Sequence, residues 1–258
     1  MINVMTHKAF DDSFIDRDHY RIVHVGSNSN CKSDYARDDT EDNISDKNPY
    51  YCELTGQYWV WKNVQEAPDD VSGLVHYRRF FTTLAGDLSY TYFNKTPKIL
   101  PYTTICKTLR TNDIILPARV KIVRTVGQFY ADLHNVEDLK ITRSCIQEVC
   151  PDYLGSYDAV MNEHSFIYGN MFIAKREVFD QYCEWLFPLM NDIESKIDVN
   201  KYDSPYQARV LGFLSERLLQ VWVEHNHLKV KEYPVFNTEN RRITVFEKNV
   251  NRVKKLFK

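Results

Sequence analysis

The 258-residue chain is poor in glycine, with eight in all. None of them falls into the arrangements that cradle phosphate, GxGxxG or GxxxxGK[ST]. HExxH and GxSxG are missing too, so the P-loop ATPase, Rossmann dehydrogenase, zincin and α/β-hydrolase readings all lose support. The six cysteines form no CxxC and no metal-ligand spacing. They read as free thiols of a reducing, cytosolic compartment, with Cys52 and Cys183 buried among aromatics. No run approaches the 18 apolar residues of a membrane span, and the opening MINVMTHKAFDD lacks the apolar stretch of a signal peptide. A net charge of −2 argues against a general nucleic-acid binder.

Aromatic residues are abundant: 17 Tyr, 14 Phe and 4 Trp. Most belong to a core, and the remainder suits a site that stacks flat ligands such as bases or sugar faces. Charge is uneven. Residues 11–48 carry ten acids against five Lys/Arg, whereas 236–258 carry seven Lys/Arg against two acids. In that tail Phe246, Val250, Val253 and Phe257 fall at helical spacing among lysines, the pattern of a basic amphipathic helix able to lie on an anionic membrane surface.

Short apolar runs predict strands at Ile2–Met5, Tyr20–Val25, Val71–Val75 and 113–117, and a longer one at Phe166–Ala174 with Gly169-Asn170 in its middle. Between them, 26–48 is polar and Asp-rich and reads as a surface loop. Asn48 as N-cap and Pro49 at the first helical position start a helix whose buried stripe is Tyr51, Leu54, Tyr58 and Trp61. Further helices are expected over 125–139, 141–150, Phe179–Met190 (with Pro188 kinking its last turn) and 206–226. Strands alternating with helices indicate an α/β domain with a mostly parallel sheet.

The most informative stretch is Asn48–Phe81, where an aromatic helix leads to the strand GLVHYRRFF. In open α/β sheets ligands sit at the C-terminal ends of strands, and guanidinium forks suit phosphate. Strand alternation would put His76 and Arg78 on one face, Tyr77 and Arg79 on the other. The arginines form either ion pairs with local acids or a clamp on a diphosphate. Thr6-His7-Lys8 closes the first strand, where an α/β nucleotide site begins. Asn43, Ser45, Lys47 and Asn48 enter the aromatic helix, whose N-terminal amides could hold an anion. Asn170 joins these as a ligand-binding candidate. Arg209, Gly212 and Glu216 share one helix face, either as a surface ion pair or as a carboxylate base beside a close-approach glycine. His134 and His164 read first as structural hydrogen-bonders.

The motifs NISDKNPYYCELTGQYWVWKN, GLVHYRRFF, DIILP, YGNMFI with YCEWLF, and GFLSERLLQVW occur in an order that resembles the bacterial capsular-polysaccharide-synthesis family. That family is catalogued as domain of unknown function 4422 and regarded as GT-A-like glycosyltransferases. The similarity runs from Val4 to about Val235. It implies a single GT-A-like, Rossmann-like α/β domain over 1–235, with a mixed, mostly parallel central sheet flanked by helices and the tail 236–258 outside it. It further implies a UDP-hexose donor, such as UDP-galactose in pyranose or furanose form. The implied acceptor is a growing capsule, O-antigen or exopolysaccharide glycan, lipid-linked or free, met in the cytoplasm or at the inner face of the plasma membrane.

GT-A enzymes ordinarily place a metal-binding Asp-x-Asp at the end of a central strand, where this chain has His76-Tyr77-Arg78-Arg79. The expectation is therefore that Arg78 and Arg79 replace the metal and that no cofactor is required, with Mn2+ or Mg2+ as the alternative. An inverting transfer needs a base, for which Glu216 is first choice and Glu163 second, with His76 as a further catalytic candidate. Two other classes compete: a non-catalytic glycan-binding scaffold, whose aromatics would be sugar platforms, and a glycosidase, which needs two facing carboxylates.

Overall fold

The computed structural model of the chain describes residues 1–28, 30–93, 98–202 and 204–239. Its apolar runs become strands: β1 (Ile2–Thr6), β2 (Tyr20–His24), β3 (Ala36–Arg37), β4 (Val71–His76), β5 (Arg79–Phe81), β6 (Ile114–Pro117), β7 (Val120–Lys121), β8 (Ser165–Phe166), β9 (Phe172–Lys175), β10 (Val230–Tyr233) and β11 (Val235–Asn237). The main sheet runs β10-β6-β9-β4-β1-β2-β3. Pairs β4–β1, β1–β2, β2–β3 and β6–β10 are parallel. Only β9 runs against both of its neighbours on this path, β4 and β6. β5 turns back from β4 and pairs antiparallel with β11.

Both faces of this sheet are covered, which explains why its strands read as continuous apolar runs rather than as alternation. Met5, Val23, Leu74, Ile114 and Phe172 face one core, and Val4, Ile22, Val75, Ile115 and Ile173 face the other. The first core is closed by α1 (Asn48–Tyr51), α2 (Leu54–Asn63), α5 (Val126–Leu133), α6 (Val136–Val149), α7 (Leu154–Asn162), α8 (Arg176–Lys196) and α9 (Val210–His225). Helices α3 (Leu84–Phe93) and α4 (Tyr102–Thr108) follow β5, and Ile105 of α4 lies in the second core. None of the helices among the described residues is long and apolar enough to cross a membrane.

Several local expectations are corrected. The aromatic helix is two pieces, Asn48–Tyr51 and α2, broken at Cys52, which sits at φ 55° and ψ −130°. Lys47, not Asn48, is the N-cap, and Asn48 instead donates to Cys52 O and Thr55 Oγ1. The 26–48 segment is largely exposed, as a surface loop should be, but it adds β3 to the sheet edge and is pinned at buried residues. Its Asp38 is fully buried and accepts Gly26 N–H and the Ser45 hydroxyl. The strand expected at 166–174 is split into β8 and β9, with Gly169 at φ 82° between them. The helix expected over 125–139 stops at Leu133, because Asn135 caps α6 by accepting Glu137 N–H. Helix α8 runs on to Lys196, well past Pro188. β11 crosses the expected boundary at 235/236, with Phe236 buried. The amphipathic tail helix, including Phe246, Val250, Val253 and Phe257, lies outside the described residues.

Candidate active site at the C-terminal ends of β1 and β4

Two parallel strands end side by side in the middle of the sheet, and the chain leaves each through polar residues. After β1 it continues into His7 and Lys8, with the Thr6 hydroxyl donating to Lys8 O and accepting Lys8 N–H. After β4 it turns sharply. His76 pairs with Arg79 across a hairpin whose two turn residues are Tyr77 and Arg78. The expected alternation of His76 and Arg78 on one face therefore fails. Cross-strand partners share a face, so His76 and Arg79 go together, while at the turn Tyr77 is buried against His7 and Phe10 and Arg78 is half-buried.

A cavity of about 310 Å³ opens at this edge. Thr6 and His7 at the end of β1, His76 and Arg78 at the end of β4, and Asn48 from the first helix all line it, together with Glu53 and Arg209. At its rim the Tyr77 ring carries two cations, Lys8 Nζ at 5.1 Å and Arg78 Cζ at 5.6 Å from the ring centroid. Both are held by one carboxylate, Glu239, at 3.2 Å each. These ion pairs keep the Glu239 carboxyl below its usual pKa against a burial effect of opposite sign. Arg79 lies deeper and has no carboxylate within ion-pair distance among the described residues. Gly169 packs beside it: a Cβ there would lie 3.7 Å from both Arg79 Nη1 and His76 Nε2.

Two acids stand here: Glu53 lines the cavity, and Glu216, which does not line it, is near enough to Glu53, Arg79 and Arg209 to feel their charges. Glu53 Oε1 accepts from Asn170 Nδ2 at 2.8 Å and lies 3.7 Å from His76 Nε2. Burial, with Arg79 and Arg78 nearby, lowers the His76 pKa against the pull of Glu53, so the ring is neutral near pH 7. The buried Asn170 Oδ1 and His76 Nε2 have no hydrogen-bond partner among the described residues. Glu216 accepts from Arg217 Nη1 at 2.8 Å. Burial and the neighbouring Glu53 push its pKa up to about 6, against Arg217, Arg79 and Arg209. Arg209 does not pair with Glu216. Its Nε donates to Cys52 Sγ at 3.0 Å. Gly212 explains the close approach, since a Cβ there would lie 2.9 Å from Cys52 Sγ.

Thus Thr6, His7, Lys8, Asn48, His76, Arg78, Arg79, Asn170 and Glu216 gather at one edge. Four other candidates are committed elsewhere. Lys47 bonds Glu194 at 2.7 Å and lines a separate cavity. Ser45 bonds buried Asp38, and Asn43 serves its own turn by accepting Ser45 N–H. Glu163 is bound by Arg119 at 2.6 Å, and neither residue lines the cavity. Glu53 and Glu239 went unnoticed in the sequence. The one hint for Glu53 was a lone acid within the aromatic run PYYCELTGQYW.

The sequence model of a family described as a domain of unknown function (DUF4422) matches residues 1–227. The chain belongs to this family. No curated protein matches it. Among solved structures it is similar to the WbbM bifunctional glycosyltransferase in its apo form, with a TM-score of 0.76 and 27% identity. The similarity covers 94% of this chain and 46% of that one, so the chain spans about half the length of that relative. In this DUF4422 chain the matched segment contains every residue that lines the cavity, whereas β10, β11 and Glu239 lie beyond it.

Proposed function

We propose that the chain is a glycosyltransferase that moves a hexose from a UDP-sugar to a growing surface glycan. The observation that carries this reading is the cluster of Lys8, Arg78, Arg79 and Arg209 around the C-terminal ends of β1 and β4, with Arg79 free of any carboxylate partner among the described residues. Arg79 is half-buried and makes no ion pair among the described residues, and an incoming diphosphate would supply that partner. The shared fold with a glycosyltransferase supports the same reading.

In the proposed reaction the bond between the anomeric carbon and the diphosphate oxygen breaks, and the leaving nucleotide gains negative charge. Preorganised cations aimed at that charge stabilise the transition state. Arg78 and Arg79 would do this without a metal. Glu216 would take the proton of the attacking acceptor hydroxyl. With a pKa of about 6 it is ionised at neutral pH and close to the value an efficient base needs. Arg217 holds the carboxylate in place, and neutral His76 would lie beside the sugar. The family resemblance favours galactose, as pyranose or furanose. A lipid-linked acceptor would bring the protein to the inner face of the plasma membrane.

A thermal-shift screen over UDP-, GDP-, dTDP- and CMP-sugars, each with and without EDTA, tests this. Ligand binding to the native state raises stability as RT ln(1 + [L]/Kd). A UDP-sugar should raise the melting temperature equally in both conditions. A flat response to all four nucleotides overturns the reading, and a response abolished by EDTA overturns its metal-free form.

A further inference from the structure

A second cavity, of about 430 Å³, lies behind the wall formed by residues 204–209. The residues of that wall divide between the two spaces: Pro205 and Arg209 line the first cavity, while Ser204 and Gln207 line the second. Tyr206 lines neither cavity; it lies between these residues in sequence, forming a crest beside His134 of the second cavity and Arg209 of the first, and is 57% exposed. Its ring is nonetheless held. It packs on Phe213 at 5.1 Å, lies 6.3 Å from His134, and has the Arg209 guanidinium 6.0 Å from its centroid. Phe213 in turn stacks on His134 at 4.2 Å, and its carbonyl accepts from Arg217, which also holds Glu216. A ring held by such contacts yet more than half exposed suits sugar stacking, and Phe213 and Arg217 link it to the candidate base.

The second cavity also offers a polar group with a defined role. Gln207 Nε2 donates to Leu133 O, which leaves its Oε1 as the acceptor facing His134 Nδ1 at 2.9 Å. His134 Nδ1 therefore carries the proton, and Nε2 presents a lone pair. Burial keeps the ring neutral. A neutral imidazole acceptor beside an exposed tyrosine face matches the chemistry of a sugar ring, which combines an apolar face with hydroxyl donors.

We infer that the second cavity is a subsite for a neutral sugar of the acceptor glycan, which stacks on Tyr206 and donates a hydroxyl to His134 Nε2. This rests on the glycosyltransferase reading. A chain lying in this cavity crosses the Tyr206 crest to bring its reactive hydroxyl toward Glu216 and the first cavity. The donor stays on the β1–β4 side, among the cations, so the two ligands approach from opposite sides of one wall.

The test uses methyl β-D-galactopyranoside as probe and saturation-transfer NMR as readout, on the full chain with and without UDP. UDP binding is titrated separately by calorimetry on every variant. Tyr206→Ala should weaken glycoside binding about tenfold and leave UDP binding unchanged. Tyr206→Phe, which keeps the platform, should bind the glycoside as the parent does. His134→Phe keeps the ring contact with Phe213 and loses the acceptor nitrogen, so it should also weaken the glycoside alone. Glycoside binding that is absent in the parent, or unchanged in Tyr206→Ala, overturns the subsite. Failure of UDP to bind the parent counts against the transferase reading instead, and the glycoside arm without UDP still decides the subsite.

Discussion

Asn170 donates its side-chain amide to Glu53 Oε1 across 2.8 Å, joining segments 117 residues apart in sequence. The same amide also reaches Gly212 O on α9 at 3.2 Å. One side chain between β8 and β9 thus sets the position of an acid delivered by the break at Cys52.

Glu53 and Glu216 are electrostatically linked, because the charge on Glu53 is one cause of the raised Glu216 pKa. Glu53→Gln removes that charge. The acid limb of the pH–rate profile should then move to lower pH, below its parent position near 6. An acid limb that stays where it was would show that Glu216 does not feel Glu53.

Glu216→Gln should lower turnover by about 10²- to 10⁴-fold, the usual contribution of a general base, with little change in UDP affinity. Stability offers a second readout. The folded-state pKa of Glu216 is raised, so the folded protein binds this proton more tightly than the unfolded chain. The associated stability is fully present below the unfolded value of about 4.5 and is lost as pH rises through about 6. Denaturant midpoints at pH 5 and pH 7 should therefore converge in Glu216→Gln relative to the parent. Near-normal turnover in that variant would remove Glu216 from the mechanism.

Glu239 holds Lys8 and Arg78 in the position a phosphate oxygen could take. Glu239→Gln should tighten UDP binding severalfold. The gain should shrink at high salt, because these are exposed charges that ions screen. Calorimetry at two ionic strengths measures both effects. Weaker binding in the variant would instead make Glu239 a support for the cations.

Gly73 lies where β4 meets β9, and a Cβ there would fall 2.5 Å from Phe172 O and 2.8 Å from Ile173 Cα. Both contacts are backbone and cannot swing aside. Gly73→Ala should cost about 2–3 kcal/mol, read as a lowered urea midpoint. Gly155→Ala meets nothing within 4 Å and sits in a helix, so it should be neutral or slightly stabilising.

Strands β1, β2, β4 and β6 are legible in the sequence because each is a short apolar run buried on both faces. The candidate site is legible because Arg78 and Arg79 follow such a run directly. What the sequence hides is the turn at Tyr77-Arg78, since nothing in the HYRR at its tip is the Gly, Asn or Asp that usually marks one. The break at Cys52 is hidden for a similar reason: a left-handed φ is held there by packing against Gly212 and Arg209, far away in sequence. Glu53 escapes notice because that break alone turns it into the cavity. Lys47 and Ser45 look available in the sequence because their partners, Glu194 and Asp38, become neighbours only on folding. Glu163 is masked in the same way by Arg119.

The placement of β9 has a consequence for biosynthesis. It is the hinge strand of the sheet, bonded to β4 on one side and β6 on the other, and it is made only after residue 171. Until it leaves the ribosome, β4 and β6 each present an open, apolar edge of the kind that recruits other chains. The nascent protein must therefore keep two-thirds of its length in waiting. Ribosome-bound chains halted before Phe172 should be far more sensitive to protease, and more dependent on chaperones, than chains halted once β9 has cleared the ribosome.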